Sequence, residues 1–264
     1  MDINHINNAM LQSYRSLRTR IGILAIVFPL ILIAVGKFWN IDIQPTLSNY
    51  YFAEDTTRVD HTPVRLWFCG ILFVVGFFLA RYPGFTKHEE KWLNAAGVLA
   101  IGVAIFPMSF DGQDPYGFVT AWFGLTQLSL HYICAVLAFA CIAVVIVWYA
   151  DSTLSQLKAS DPQLYSRYRW TYRGIALYMA MSIATSFILK NWPPVLTGEA
   201  SGIWAFAIDW FKKDGVLLAE VSAIWAFAAY WFVKNSEMTE VSRRLKDRGE
   251  FLRPRSDADL AGML

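Results

Sequence analysis

Six stretches of the chain are too apolar, over too great a length, to be hidden inside a soluble domain of 264 residues. They cover residues 21–39, 66–80 (extendable to Tyr82), 93–110, 125–150, 174–189 and 216–233. A helix crossing the hydrocarbon layer needs about 20 apolar residues, within a range of about 17–25. Composition agrees: 56% of residues are hydrophobic, and only 17% are charged against about 25% in soluble domains. The expected fold is therefore all-α, a polytopic membrane protein with a bundle of about six transmembrane helices. Pro29, at the middle of the first run, is expected to kink it. The fifth run is the most polar, with Ser182, Thr185 and Ser186.

Charge sets the expected orientation. With the N-terminus inside, 17 of the 23 Lys and Arg residues fall in inner segments and 6 in outer ones. Cytoplasmic loops carry such an excess, so both termini are expected in the cytoplasm and the protein in the cell inner (plasma) membrane. Trp39, Trp67, Trp92, Trp148, Trp192 and Trp231 lie near run ends, where an indole ring suits the headgroup level. The first run ends at Phe38-Trp39 without a small-x-small cleavage pattern, so it reads as a retained anchor.

This divides the chain into a cytoplasmic amphipathic helix at 1–20, a six-helix transmembrane domain at 21–235 and a basic cytoplasmic tail at 236–264. In the first, Ile3, Ile6, Met10, Tyr14 and Leu17 share a face, as in a helix lying on the inner surface. Asp114-Pro115 opens either an outward extension of the fourth span or a short interfacial helix before it. Ile203, Phe206, Ala207, Trp210 and Phe211 recur at helical spacing, as a helix too short to span that lies in the interface or re-enters the membrane. Ala96/Ala100/Ala104, Ala176/Ala180/Ala184 and Ala219/Ala223 form small-residue stripes, the expected helix–helix contact faces in lipid.

Few polar residues stand out. Glu220, about one turn inside the outer end of the last span, costs a few kcal/mol unless paired or wetted. It marks a pore, proton or ligand site, or a structural pair. His131, at similar depth in the fourth span, can pair with Glu220 or simply bond a neighbouring backbone group. Asp111 and Asp114 make an outer loop acidic, which attracts cations or is merely solvated. Ser48 follows Pro45-Thr46-Leu47 in a segment expected to turn tightly. As a nucleophile it needs a base, His61 or His131, and there is no GxSxG, so no catalytic residue is assigned. Cys69, Cys134 and Cys141 all sit in apolar runs and read as packing residues. Arg243, Arg244, Lys246 and Arg248 form a basic cluster for anionic lipid or for an anionic nucleotide or oligonucleotide regulator. No duplex nucleic-acid binding, cofactor or metal is expected.

Several segments together resemble a family of largely uncharacterised bacterial six-span membrane proteins. They are Pro45-Thr46-x-Ser48-x-Tyr50-Tyr51, Gly76-Phe77-Phe78-Leu79 through Tyr82-x-Gly84, Ala96-Gly97 through Phe106-Pro107, His131, Tyr172-Arg173, and Glu220 followed by Phe227, Trp231 and Lys234. The resemblance extends to membrane effectors of anti-phage defence and so implies a pore. Ser48, Asp111 and His131 also map loosely onto the alkaline ceramidase and progestin-receptor-like superfamily. Its HxxxH pair in the last span is absent, and the chain has only four histidines; three zinc ligands would have to include one from the cytoplasmic side.

The first functional expectation is an ion channel or pore, a homo-oligomer in the lipid bilayer gated by a cytoplasmic anionic ligand, with Glu220 or Asp111 selecting cations. The second is a membrane-embedded hydrolase or lipid-modifying enzyme using Ser48, Asp111 and His131 at the outer face. The third is a small-solute transporter or sensor, weakened by the lack of an internal repeat.

Overall fold

The computed structural model describes residues 3–53, 64–108, 116–122, 129–191 and 203–249. Among them the chain is all-helical, with no strand. Helices α1 (Ile3–Phe38), α2 (Arg65–Ala80), α3 (Lys87–Ile105), α4 (Gly117–Trp122), α5 (Leu130–Val144), α6 (Pro162–Asn191) and α7 (Ile203–Asp247) follow in order. Short 3₁₀ turns occur at Ser48–Tyr51 and Leu154–Leu157, and α5 ends in a π-helical turn at Val145–Tyr149.

Three described stretches are long and apolar enough to cross a membrane: Gln12–Phe38, Leu130–Tyr149 and Asp214–Asp247; Arg65–Ala80 is apolar but shorter. Large apolar side chains also face outward on many sides, among them Leu30, Phe77, Val98 and Leu177, the last 65% exposed. In water such a surface is an aggregation liability, and in lipid it is the solvated face. The chain has the build of a membrane protein.

The elements depart from the sequence expectation at their ends. The amphipathic segment at 1–20 is no separate surface helix; it runs unbroken into the first span as α1, and Arg18 and Ile21 are both buried. Residues 203–211 are not a separate helix but form the first turns of α7. At its other end α7 continues past 235, with Met238, Val241 and Leu245 buried. The start of the expected basic tail is thus packed helix. A separate short helix, α4, precedes α5. Trp231 is no interface anchor, being fully buried against Tyr82, Phe227 and Tyr230. Trp67, Trp92 and Trp148 are exposed.

The core has two halves. One gathers Phe28, Leu32, Leu47, Tyr50, Phe68 and Val221, and the other surrounds Leu79, Tyr82, Leu93, Ile146, Tyr230 and Trp231. α2 and α3 pack closely because both carry glycine at the crossing. A Cβ on Gly97 would lie 2.4 Å from the Ala80 amide nitrogen, and one on Gly76 would lie 2.8 Å from the Gly97 carbonyl oxygen. The alanine stripes are only partly contact faces. Ala96 and Ala104 are buried, whereas Ala180 and Ala184 on α6 are exposed.

Candidate functional site

The segment after α1 is aimed by a series of local interactions. Asn40, with φ 57°, takes the left-handed conformation that lets a helix end. Ile41 N–H then donates to the Gly36 carbonyl (2.8 Å) and Asn40 N–H to that of Lys37 (3.1 Å), the paired bonds of a Schellman turn. The turn folds the chain back over the helix end. Gly36 matters there because a Cβ would meet the Tyr50 ring at 3.1 Å, and Tyr50 itself is buried. Thr46 Oγ1 accepts from Asn49 N–H at 3.0 Å, starting the Ser48–Tyr51 turn. On α7, Glu220 Oε2 accepts from Leu47 N–H at 2.6 Å. The residue before Ser48 is thus tied to the helix opposite.

Ser48 Oγ lies 2.8 Å from His131 Nε2. His131 is buried in the first turn of α5, which Ser129 caps by accepting from Tyr132 N–H. The other ring nitrogen, Nδ1, is 2.8 Å from the Phe106 carbonyl oxygen. Phe106 ends α3, its own N–H donating to Gly102. A carbonyl can only accept, so Nδ1 carries the proton. In the neutral ring Nε2 is then the lone-pair nitrogen, and it accepts from the Ser48 hydroxyl. The Phe68 ring stacks on the imidazole with centroids 6.4 Å apart, fixing its plane. A hydroxyl on a base that is itself held by a third group is the arrangement that activates a nucleophile.

The dyad opens on a cavity of about 420 Å³. Thr46, Asn49, Ser129 and Glu220 lie beside it, Tyr132 and Ser186 add two further hydroxyls, and the rest of the wall is mainly apolar, from Phe28 and Val75 to Phe139 and Ile224. Of the expected site residues, Ser48, His131 and Glu220 therefore come together, with Glu220 bonded to Leu47 rather than to His131. Asp111 lies outside the described residues, as does His61. Among the described residues no group of three or more His, Cys, Asp or Glu side chains is placed to hold a metal.

The basic cluster on α7 lies elsewhere. Arg243 and Arg244 both pair with Glu240, and Arg244 also pairs with Asp161, so half of that cluster is engaged within the chain.

A second polar group was not expected from the sequence. At the opposite end of the bundle Lys234, fully buried, donates to the Ala150 carbonyl, to Thr153 Oγ1 (2.8 Å) and to Glu237 (3.1 Å). Thr153 and Tyr172 donate to the same carboxylate. Beside them Arg18 donates to Tyr82 and reaches Met238. Buried Glu89 accepts from Phe85 N–H at 3.0 Å, and burial pushes its carboxyl above the usual range. This reads as a structural network, although Ser152 Oγ, Tyr230 Oη, Trp231 Nε1 and Asn235 Oδ1, buried in the same region, make no hydrogen bond among the described residues. One signal was available: Met238, Val241 and Leu245 keep a helical apolar spacing past the end of the sixth run, with Lys234 one turn before them.

Compared with known protein families, curated proteins and solved structures, the chain shows no significant match to any of them.

Proposed function

We propose that this chain is a six-span membrane hydrolase, with both termini cytoplasmic, that cleaves an acyl ester or amide by nucleophilic attack of Ser48. The observation that carries the reading is the Ser48 Oγ···His131 Nε2 distance of 2.8 Å, with Nδ1 anchored on the Phe106 carbonyl. Ser48 Oγ adds to the acyl carbonyl as its proton passes to Nε2. Collapse of the tetrahedral intermediate expels the alcohol or amine, which takes that proton. Water, deprotonated by the same nitrogen, then releases the acid. The Phe106 carbonyl favours the imidazolium formed on the way. Glu220 acts as a positioning residue, holding Leu47 and so the Ser48 backbone.

The six-span arrangement is supported by how polar groups sort. Ser48, Phe106, His131 and Glu220 share one end, and Tyr82, Glu89, Thr153 and Lys234 the other, as antiparallel crossings require. With the charge asymmetry, the dyad belongs to the outer face of the inner membrane.

The test is a serine-reactive fluorophosphonate probe on protein in nanodiscs, with hydrolysis of acyl esters and amides in parallel. Ser48→Ala should abolish labelling, and His131→Gln should slow it by about 10²- to 10⁴-fold, the usual contribution of a general base. Equal labelling in Ser48→Ala would sink the assignment. A pore is the second reading, and Glu220 on an intramembrane cavity is the observation behind it. It is weakened because Leu47 engages that carboxylate. In this reading the chains form a homo-oligomer, Lys246 and Arg248 receive an anionic regulator, and Glu220→Gln alters ion flux in sealed liposomes.

A further inference from the structure

The cavity has a definite depth. From top to floor its lining advances from Phe68 to Leu79 on α2, from His131 to Ile142 on α5 and from Val216 to Phe227 on α7. Each interval is 11 residues, or about 16 Å at about 1.5 Å per residue. The dyad sits at the upper end and the wall below it is mainly apolar. An extended methylene chain built from carbon–carbon bonds of about 1.52 Å at tetrahedral angles advances about 1.25 Å per carbon. About 16 Å therefore holds about 13 carbons. Ala96, Ala100, Ala138 and Ala223 line this space, and their small side chains leave room where a leucine would fill it.

The cavity also has a side. α5 and α6 touch at few positions, and Tyr132 and Val136 on α5 with Ile183 and Ser186 on α6 all line it. Val136 is partly exposed on the outer surface of the bundle. Above this gap the Tyr132 and Phe187 rings meet with centroids 6.3 Å apart.

We infer that the cavity is an acyl-chain sleeve, and that the substrate of the Ser48 site is a lipid with a saturated chain of about 12 to 14 carbons, entering from the bilayer between α5 and α6. This rests on the hydrolase reading for the reacting bond, but the sleeve itself is a binding property. The carbonyl would lie at Ser48 and His131, the methyl end against Leu79, Ile142 and Phe227, and any headgroup toward Thr46 and Asn49.

The experiment uses fatty acids from about 8 to about 18 carbons long, each with a photoreactive diazirine at its methyl end. They are cross-linked to the full chain in nanodiscs, as wild type and as Ser48→Ala, and the adducts are mapped by mass spectrometry. Chains of about 12 to 14 carbons should mark Leu79, Ile142 or Phe227 in both proteins. Ala100→Leu should shorten the preferred chain and Ile142→Ala should lengthen it, so the conclusion does not hang on the folding of one variant. Val136→Trp should slow adduct formation without changing the preferred length. Adducts only on lipid-facing residues, or equal yield at every length, would overturn the sleeve. Floor adducts in a protein whose Ser48 never reacts would leave the sleeve standing and remove the hydrolase.

Discussion

Glu220 accepts from the Leu47 amide, and this bond holds the residue before Ser48. A hydrogen bond to a charged group contributes about 1.5–3 kcal/mol and a neutral one about 0.5–1.5. Glu220→Gln keeps an acceptor for Leu47 N–H, so it should lower stability by only about 1 kcal/mol and leave Ser48 reactive at reduced rate. Glu220→Ala leaves that N–H without its acceptor, which costs about 1–3 kcal/mol, and should release the segment and abolish probe labelling. Thermal melts and labelling rates of the pair check this; a Gln variant as inert as the Ala variant would mean the charge acts directly. Glu220 and His131 were legible in the sequence because each interrupts an apolar run, and Ser48 because it follows Pro45-Thr46-Leu47 in a turn segment. Their partners were not. The sequence allowed a Glu220–His131 pair, and the bonds instead go to Leu47 and Ser48, because the Schellman turn at Asn40 folds that segment over the bundle end. Arg18 and Lys234 fell among the inner-segment charges for the opposite reason: each lies just beyond the edge of an apolar run, yet the helix and its burial continue.

Helix existence followed from the apolar runs, but helix length did not. Hydropathy reports the lipid-facing portion, whereas α7 continues on side chains that bury against protein. Its 45 residues extend about 67 Å at about 1.5 Å each, far more than the roughly 30 Å hydrocarbon layer. The turns beyond Asn235 bury Met238, Val241 and Leu245, each contributing about 1.5–3 kcal/mol. Truncation after Asn235 should therefore prevent accumulation of folded protein, while truncation after Gly249 keeps every one of those contacts. Monodisperse elution of the shorter form in detergent would contradict this. At the α2–α3 crossing, Gly97→Ala drives a methyl into the backbone of Ala80, and overpacking of this kind costs about 1–3 kcal/mol. Gly174→Ala, where a Cβ meets nothing within 4 Å, is the control and should melt no lower than wild type.

For the molecule as a whole, the two ends of the bundle divide the work. The Ser48 end carries a reactive arrangement above an apolar cavity, and the Lys234 end is locked. There Lys234 and Glu237, both with side chains 0% exposed, are joined to the end of α5, the turn after it and α6 through Ala150, Thr153 and Tyr172. Lys234→Met removes the cation and leaves Glu237 buried beside groups arranged for a charged pair. Breaking one side of such a pair costs about 3–5 kcal/mol, which for a chain of this size lowers the melting midpoint by roughly 10 °C. Replacing both partners, Lys234→Met with Glu237→Leu, removes the stranded charge and should recover much of that loss, since an apolar substitute for a buried pair is often neutral or better. Thr153 and Tyr172 still lose their acceptor in the double variant, so recovery should be incomplete. Because the network lies at the far end from Ser48, the double variant should keep probe labelling close to wild type. If it melted as low as Lys234→Met and also lost labelling, the two ends would be coupled, and the buried charges would belong to the working site rather than to the scaffold beneath it.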